Sequence, residues 1–132
     1  MVSIHHENAA SIVSAGVNLY VADVLRSHRW YSEVLGLKME LSPDNLSSRY
    51  VESHEADDQG LTVFRILPRT SDEVAPGNVQ LAFSIANLAK AEAVLPAAGV
   101  EISRTRSLEA GCALYGVTIR DLDGNGIVLY EL

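Results

Sequence analysis

The chain has 132 residues, 48% of them hydrophobic and 20% charged, which suits a single globular domain and excludes a disordered polymer. Seventeen acidic residues against ten basic give a net charge of -7, a field that repels phosphate backbones and argues against nucleic acid as a partner. One cysteine, Cys112, cannot close an internal disulfide. No apolar run approaches the roughly 20 residues that span a bilayer, and the opening segment lacks the basic start of a signal peptide. A cytoplasmic protein with no membrane partner is therefore expected.

Residues 1–15 lie outside the repeated pattern and read as an N-terminal extension that includes the pair His5 and His6. The run VNLYVADV (17–24) then alternates apolar and polar residues at the period of a half-buried strand. Asp23 stands where a helix N-cap belongs, and the 3.6-residue pattern predicts a helix from about Val24 to Leu35, closed by Gly36. Strands are predicted at about Leu37–Leu41, Ser48–Ser53 and Leu61–Leu67, with the acidic loop Glu55–Gly60 as a hairpin end. The polar, Pro- and Gly-containing stretch RTSDEVAPGN (69–78) reads as a linker.

The second half repeats the first. LAFSIANL (81–88) echoes the opening strand, Asn87 takes the cap position, and an alanine-rich helix runs to Ala98, weakened by Pro96 and closed by Gly99. Strands are predicted at about Val100–Arg104, Ala113–Arg120 and Gly126–Leu132. The distance from cap to closing glycine is thirteen residues in the first copy and twelve in the second. A further echo sets GLTVFR (60–65) against GIVLYE (126–131). The expected organisation is α+β: two β-α-β-β-β modules, 16–68 and 78–132, joined by linker 69–77, with curved mixed sheets around a cleft.

These residues resemble the glyoxalase/bleomycin resistance/dioxygenase superfamily, the vicinal oxygen chelate fold. The first-module pattern is carried by Asp23, Ser27, the pair Trp30–Tyr31, and Leu35–Gly36. The closing pattern is carried by DLDGN (121–125) and the alternating strand to Glu131, with Leu122 where the family usually has proline. Asp123, Gly124 and Asn125 are also a turn signal in their own right. The resemblance implies a cleft in which four strands each offer one ligand, typically His or Glu, to a divalent metal. That metal supplies Lewis-acid stabilisation of an enediolate, or activates oxygen in the dioxygenases.

Counted on that pattern, the four ligand positions are Gly16, Thr62, Gln80 and Val128, Thr62 being assigned by the internal echo. No imidazole or carboxylate stands among them, so no metal and no cofactor are expected. His28 reads as a partly buried helix residue. His54, at a strand end, reads as a surface residue or as a general base at a cleft rim. Alternation along each strand assigns Asn18, Tyr20, Thr62, Phe64, Gln80, Ser84, Val128 and Tyr130 to the cleft face as ligand-binding residues. The opposite faces, Val17/Leu19/Val21 and Leu81/Phe83/Ile85, are assigned to the core. Arg49, Arg104 and Arg106 are candidates for an anion-binding rim, and Cys112 lies in a loop, SLEAGCA (107–113), beside the cleft.

The expected function is metal-free binding of a small molecule, with a neutral or weakly polar aromatic compound as the favoured ligand. The alternatives are a lyase, isomerase or extradiol-type dioxygenase with ligands elsewhere, or a metal-free enzyme using a carboxylate or His54 as base. Edges and apolar surface on short curved sheets predict a homodimer.

Overall fold

The computed structural model describes residues 16–54, 57–69, 79–105 and 116–131. Each half contributes four strands and one helix in the same order. The first half holds β1 (Val17–Val21), α1 (Val24–Glu33), β2 (Met39–Leu41), β3 (Ser48–His54) and β4 (Asp57–Pro68). The second holds β5 (Gln80–Ile85), α2 (Leu88–Ala97), β6 (Ser103–Thr105), β7 (Gly116–Arg120) and β8 (Gly126–Glu131). The first sheet has the order β1-β4-β3-β2 and the second β5-β8-β7-β6, so the two halves share one topology. In each sheet the first and last strands pair in parallel, and the remaining pairs are antiparallel.

The helix starts form where the cap residues stand. The carboxylate of Asp23 accepts the Arg26 N–H at 3.0 Å, and the amide oxygen of Asn87 accepts the Lys90 N–H at 3.0 Å. A second carboxylate, that of Glu131, accepts the Leu88 N–H at 2.8 Å and so ties the end of β8 to the start of α2. Gly36 and Gly99 have φ of 70° and 82°, the left-handed conformation that lets the chain turn out of each helix. Pro96 lies inside the last turn of α2, one residue before its end. Of the predicted loop Glu55–Gly60, residues 57–60 belong to β4, and residues 55–56 fall outside the described residues. His54 pairs with Asp57, so β4 begins four residues earlier than the apolar pattern suggests.

One hydrophobic core joins the two halves. Leu19, Val21, Phe64 and Ile66 of the first sheet, Val117, Ile119, Ile127 and Leu129 of the second, and Val24, Tyr31 and Leu95 of the helices belong to a single buried cluster. Phe64 and Phe83 meet across the sheets with ring centroids 6.2 Å apart, and Tyr50 and Phe83 at 6.3 Å. Tyr31 on α1 stands 5.5 Å from Phe64. No strand of one sheet hydrogen-bonds a strand of the other. The sheets meet instead through side chains, Tyr50 and Phe64 of the first against Phe83 of the second.

Polar contacts lock this arrangement at one corner. The turn between β7 and β8 places Gly124 at φ 86° and folds around Asp121, which is 8% exposed. One carboxylate oxygen of Asp121 accepts the N–H groups of Asp123 and Asn125, at 2.9 and 2.8 Å. The other accepts the Tyr31 hydroxyl at 2.6 Å and the Asn125 side-chain amide at 2.9 Å. Asp123 reaches across to α1, accepting the Ala22 N–H at 2.9 Å and the Ser27 hydroxyl at 3.4 Å. The DLDGN run is thus a clamp between the second sheet and the start of the first helix. Among the described residues no buried side-chain polar atom lacks a partner.

Two outcomes follow from this corner. Tyr31→Phe removes a hydrogen bond to a buried carboxylate and is expected to cost about 1.5–3 kcal/mol in urea unfolding, more than an exposed Tyr→Phe change. The Tyr31 hydroxyl is also held well above the ordinary tyrosine pKa of 10.0, first by burial and then by the Asp121 charge. A pKa raised by folding contributes stability that is present below the unfolded value and lost as pH rises through it. Stability should therefore fall above about pH 10, and the fall should be shallower in Tyr31→Phe than in the native chain.

Candidate functional site

With the aromatic side chains of the two sheets in contact, the surfaces left for a ligand are the open faces of the two sheets and the grooves beside them. On the first sheet the register sets four side chains in one transverse row. Asn18 pairs with Arg65, Arg65 with Arg49, and Arg49 with Glu40, crossing β1, β4, β3 and β2 in turn. All four are exposed. The Arg49 guanidinium donates to Glu40 at 2.7 and 2.9 Å and to the Thr62 hydroxyl at 3.2 Å. Two residues along the strands, Tyr20 pairs with Leu67, and both are half-buried.

On the second sheet Gln80, Ala82 and Ser84 are exposed along β5. Ala82 pairs with Val128 and Ser84 with Tyr130. Val128 is 3% exposed and Tyr130 is half-buried. A groove of about 720 Å³ is lined from both modules, by Leu35, Leu37, Tyr50 and Val63 of the first and by Phe83, Ser84, Leu95 and Tyr130 of the second. A second, of about 680 Å³, lies beside Trp30, Thr118 and Arg120.

Of the eight residues assigned from the sequence to a ligand-binding face, Asn18, Tyr20, Gln80, Ser84 and Tyr130 lie on the open faces, while Val128, beside Ala82 in the register, is buried. Ser84 and Tyr130 also share the groove lined from both modules. Thr62 reaches the open face through its bond to Arg49. Phe64 does not lie there. It is 1% exposed and sits between Tyr31, Tyr50 and Phe83 on the helix side, so its assignment to the cleft is corrected. The cause is a β-bulge. The partners of Tyr50 and Val51 are Phe64 and Thr62, so β4 carries one extra residue between them. Strict alternation from Thr62 to Phe64 fails across that irregularity.

The same register corrects the fourth ligand position. Asn18 and Ala82 lie five residues before their respective helix caps, so they are equivalent in the repeat. Ala82 faces Val128, and Asn18 faces Arg65. The first-module counterpart of Val128 is Arg65, three residues beyond Thr62. Phe64 and Ile66 are both buried core residues, and that apolar pair already points the residue between them outward. This was the available signal for Arg65.

Of the remaining candidates, His28 is partly buried on α1, its Nδ1 at 2.7 Å from the Ser48 hydroxyl, a packing role. Arg104 lies on β6 and His54 at the end of β3, their side chains outside the described set. His5, His6, Arg106, Cys112, the linker 70–78 and the loop around Cys112 fall outside the described residues.

The comparisons agree with this architecture. The sequence profile of one family, described as the Glyoxalase/Bleomycin resistance protein/Dioxygenase superfamily, matches residues 12–129. The chain belongs to that superfamily. No curated relative matches the sequence. Among solved structures the fold is similar to a virulence protein from Salmonella typhimurium, with TM-score 0.66 and 20% identity over 92% of this chain and 98% of that one. It is similar to a lactoylglutathione lyase from Agrobacterium tumefaciens, with TM-score 0.63 and 17% identity over 94% and 96%. It is also similar to a member of the same superfamily from Sphaerobacter thermophilus, with TM-score 0.65 and 16% identity over 92% and 98%.

The family's enzymes imply a divalent metal, and the donor set here does not fit one. Gly16 offers no side chain, Val128 no donor atom, Arg65 a fixed positive charge, and Gln80 only an amide oxygen. Among the described residues no three His, Cys, Asp or Glu side chains gather as a metal cage. No helix is long and apolar enough to cross a membrane among those residues.

The corrected position of Phe64 gives a discriminating test. Phe64→Ala is expected to cost about 3–5 kcal/mol in chemical denaturation, the scale of a large core truncation. A variant that keeps full stability but loses ligand would return Phe64 to the cleft.

Proposed function

We propose that this protein binds a small organic molecule on the open sheet faces without the aid of a metal, as a binder rather than a metalloenzyme. One observation carries the reading: the four positions that would ligate a metal are Gly16, Arg65, Gln80 and Val128, on surfaces that otherwise offer hydrogen-bonding and aromatic groups. Asn18, Gln80 and Ser84 supply amides and a hydroxyl, and Tyr20 and Tyr130 supply rings with polar ends. Such a mixture orients a small ligand while burying its apolar part.

The same reading includes a homodimer. The exposed rows on β1–β4 and along β5 belong to different sheets, and pairing the first sheet of one copy with the second sheet of another encloses both in one cleft. Exposed Asn18, Arg65, Gln80, Ala82 and Ser84 then become cleft lining instead of bare surface. Such an isologous pairing yields two equivalent clefts.

The test is a ligand screen by thermal shift, run with and without added divalent metals. A ligand that binds the folded state raises Tm by mass action, and its effect should be independent of Zn, Ni, Mn or Fe. Tyr130→Ala should weaken that ligand by about 1–3 kcal/mol. Elemental analysis finding about one such metal per chain, with an activity lost on its removal, would replace this reading by the enzyme one. Light scattering at micromolar concentration should report two copies, and a monomer would remove the shared cleft.

A further inference from the structure

The charge on the first sheet's open face does not balance. Arg49 and Arg65 lie directly opposite each other on adjacent strands, an arrangement that repels unless a negative group sits with it. Glu40 and Thr62 hold the Arg49 guanidinium from two sides. Among the described residues nothing engages Arg65 by hydrogen bond or ion pair. The row thus carries two guanidinium groups and one carboxylate, a local positive charge on a chain whose net charge is -7. The second-sheet surface that would face it across a shared cleft carries Gln80, Ala82, Ser84 and Tyr130, with no carboxylate among them.

Arg65 also occupies a particular place. It is the repeat counterpart of Val128, and so stands where the family pattern puts a ligand to a divalent cation. A guanidinium there brings the positive charge itself and a planar fork of donors matched to a carboxylate. Asn18 lies beside it in the same row, with an amide able to donate to a second oxygen. Tyr20 and Leu67, two residues further along, give a half-buried apolar shelf next to the charge.

We propose that this face binds the carboxylate of a small organic acid with an apolar or aromatic body, Arg65 taking the anion in the place of a metal. The inference rests on the small-molecule reading above and names its ligand class. It also departs from the neutral ligand expected from the sequence, because the cleft face carries Arg65 and not Phe64.

The test uses the whole protein, labelled for NMR of the arginine Nε–Hε groups, at fixed ionic strength. Benzoate is titrated as the probe, with benzamide as its neutral counterpart, and chloride and inorganic phosphate as other anions. Benzoate should move the Arg65 signal saturably and bind at least about tenfold tighter than benzamide, the scale of a charge-assisted bond. Arg65→Gln should lose about tenfold or more for benzoate and leave benzamide unchanged, and Arg65→Lys should recover part of the loss. A benzoate response no stronger than that of chloride overturns the proposal, as does Arg65→Gln binding benzoate as tightly as the native chain. Tighter binding of phosphate than of benzoate overturns the carboxylate assignment. Dissociation of a dimer by Arg65→Gln with benzoate affinity unchanged makes Arg65 an interface contact and overturns it too. A neutral ligand that stabilises the native chain and Arg65→Gln equally defeats this proposal alone. Failure of every ligand class in the thermal screen defeats the binding reading as well.

Discussion

Phe64 and Phe83 meet in the middle of the molecule, and their contact decides which surfaces are left for chemistry. Each ring belongs to the helix-side face of its own sheet. Once they touch, with Tyr31 and Tyr50 packed around them, the two apolar faces share one core. Burying side chains of this size contributes about 2–3 kcal/mol each, so the sheets have a strong reason to adopt this orientation and no other. The polar faces are then forced outward. Function in this fold is what remains after the core has taken its share.

The clamp at Asp121 makes the same orientation specific. Hydrophobic burial is non-directional and tolerates some sliding of one sheet against the other. A buried carboxylate that accepts four hydrogen bonds does not, because any shift strands a charge away from water. Through Tyr31 and through the contacts of Asp123 to Ala22 and Ser27, the last turn of the second module fixes the first helix of the first module. The conspicuous acidic turn of this sequence therefore works for architecture. The residues that face a ligand are the less conspicuous ones around it.

The sequence made some of this plain and hid the rest, for physical reasons. Asp23, Asn87, Gly36 and Gly99 act through local backbone geometry, so caps and helix ends were legible from the residues alone. The alternation held for Leu19, Val21 and Leu81, but Val17, assigned to the core, stands at the start of β1 and is 40% exposed. Along β4 the reasoning failed at the bulge between Thr62 and Phe64, beyond which the apolar pair Phe64 and Ile66 sets the alternation anew. The echo between GLTVFR and GIVLYE pointed to Thr62 and Phe64, three places out of register with the strand pairing. Arg65 was passed over in consequence. The bond from Tyr31 to Asp121 spans 90 positions and belongs to tertiary packing, which no local pattern encodes.

The proposed homodimer sets the open face of one copy's first sheet against the open face of the other copy's second sheet. Cross-linking tests it without knowledge of any ligand. In a Cys112→Ser background, Asn18→Cys and Ala82→Cys place one thiol on each open face. A bismaleimide spanning roughly 10 Å, the usual separation of facing sheets, then joins the thiols that face each other. The account predicts a covalent dimer from the doubly substituted chain, formed in dilute solution and absent after unfolding. An efficient cross-link within a single chain, with no covalent dimer, would contradict it.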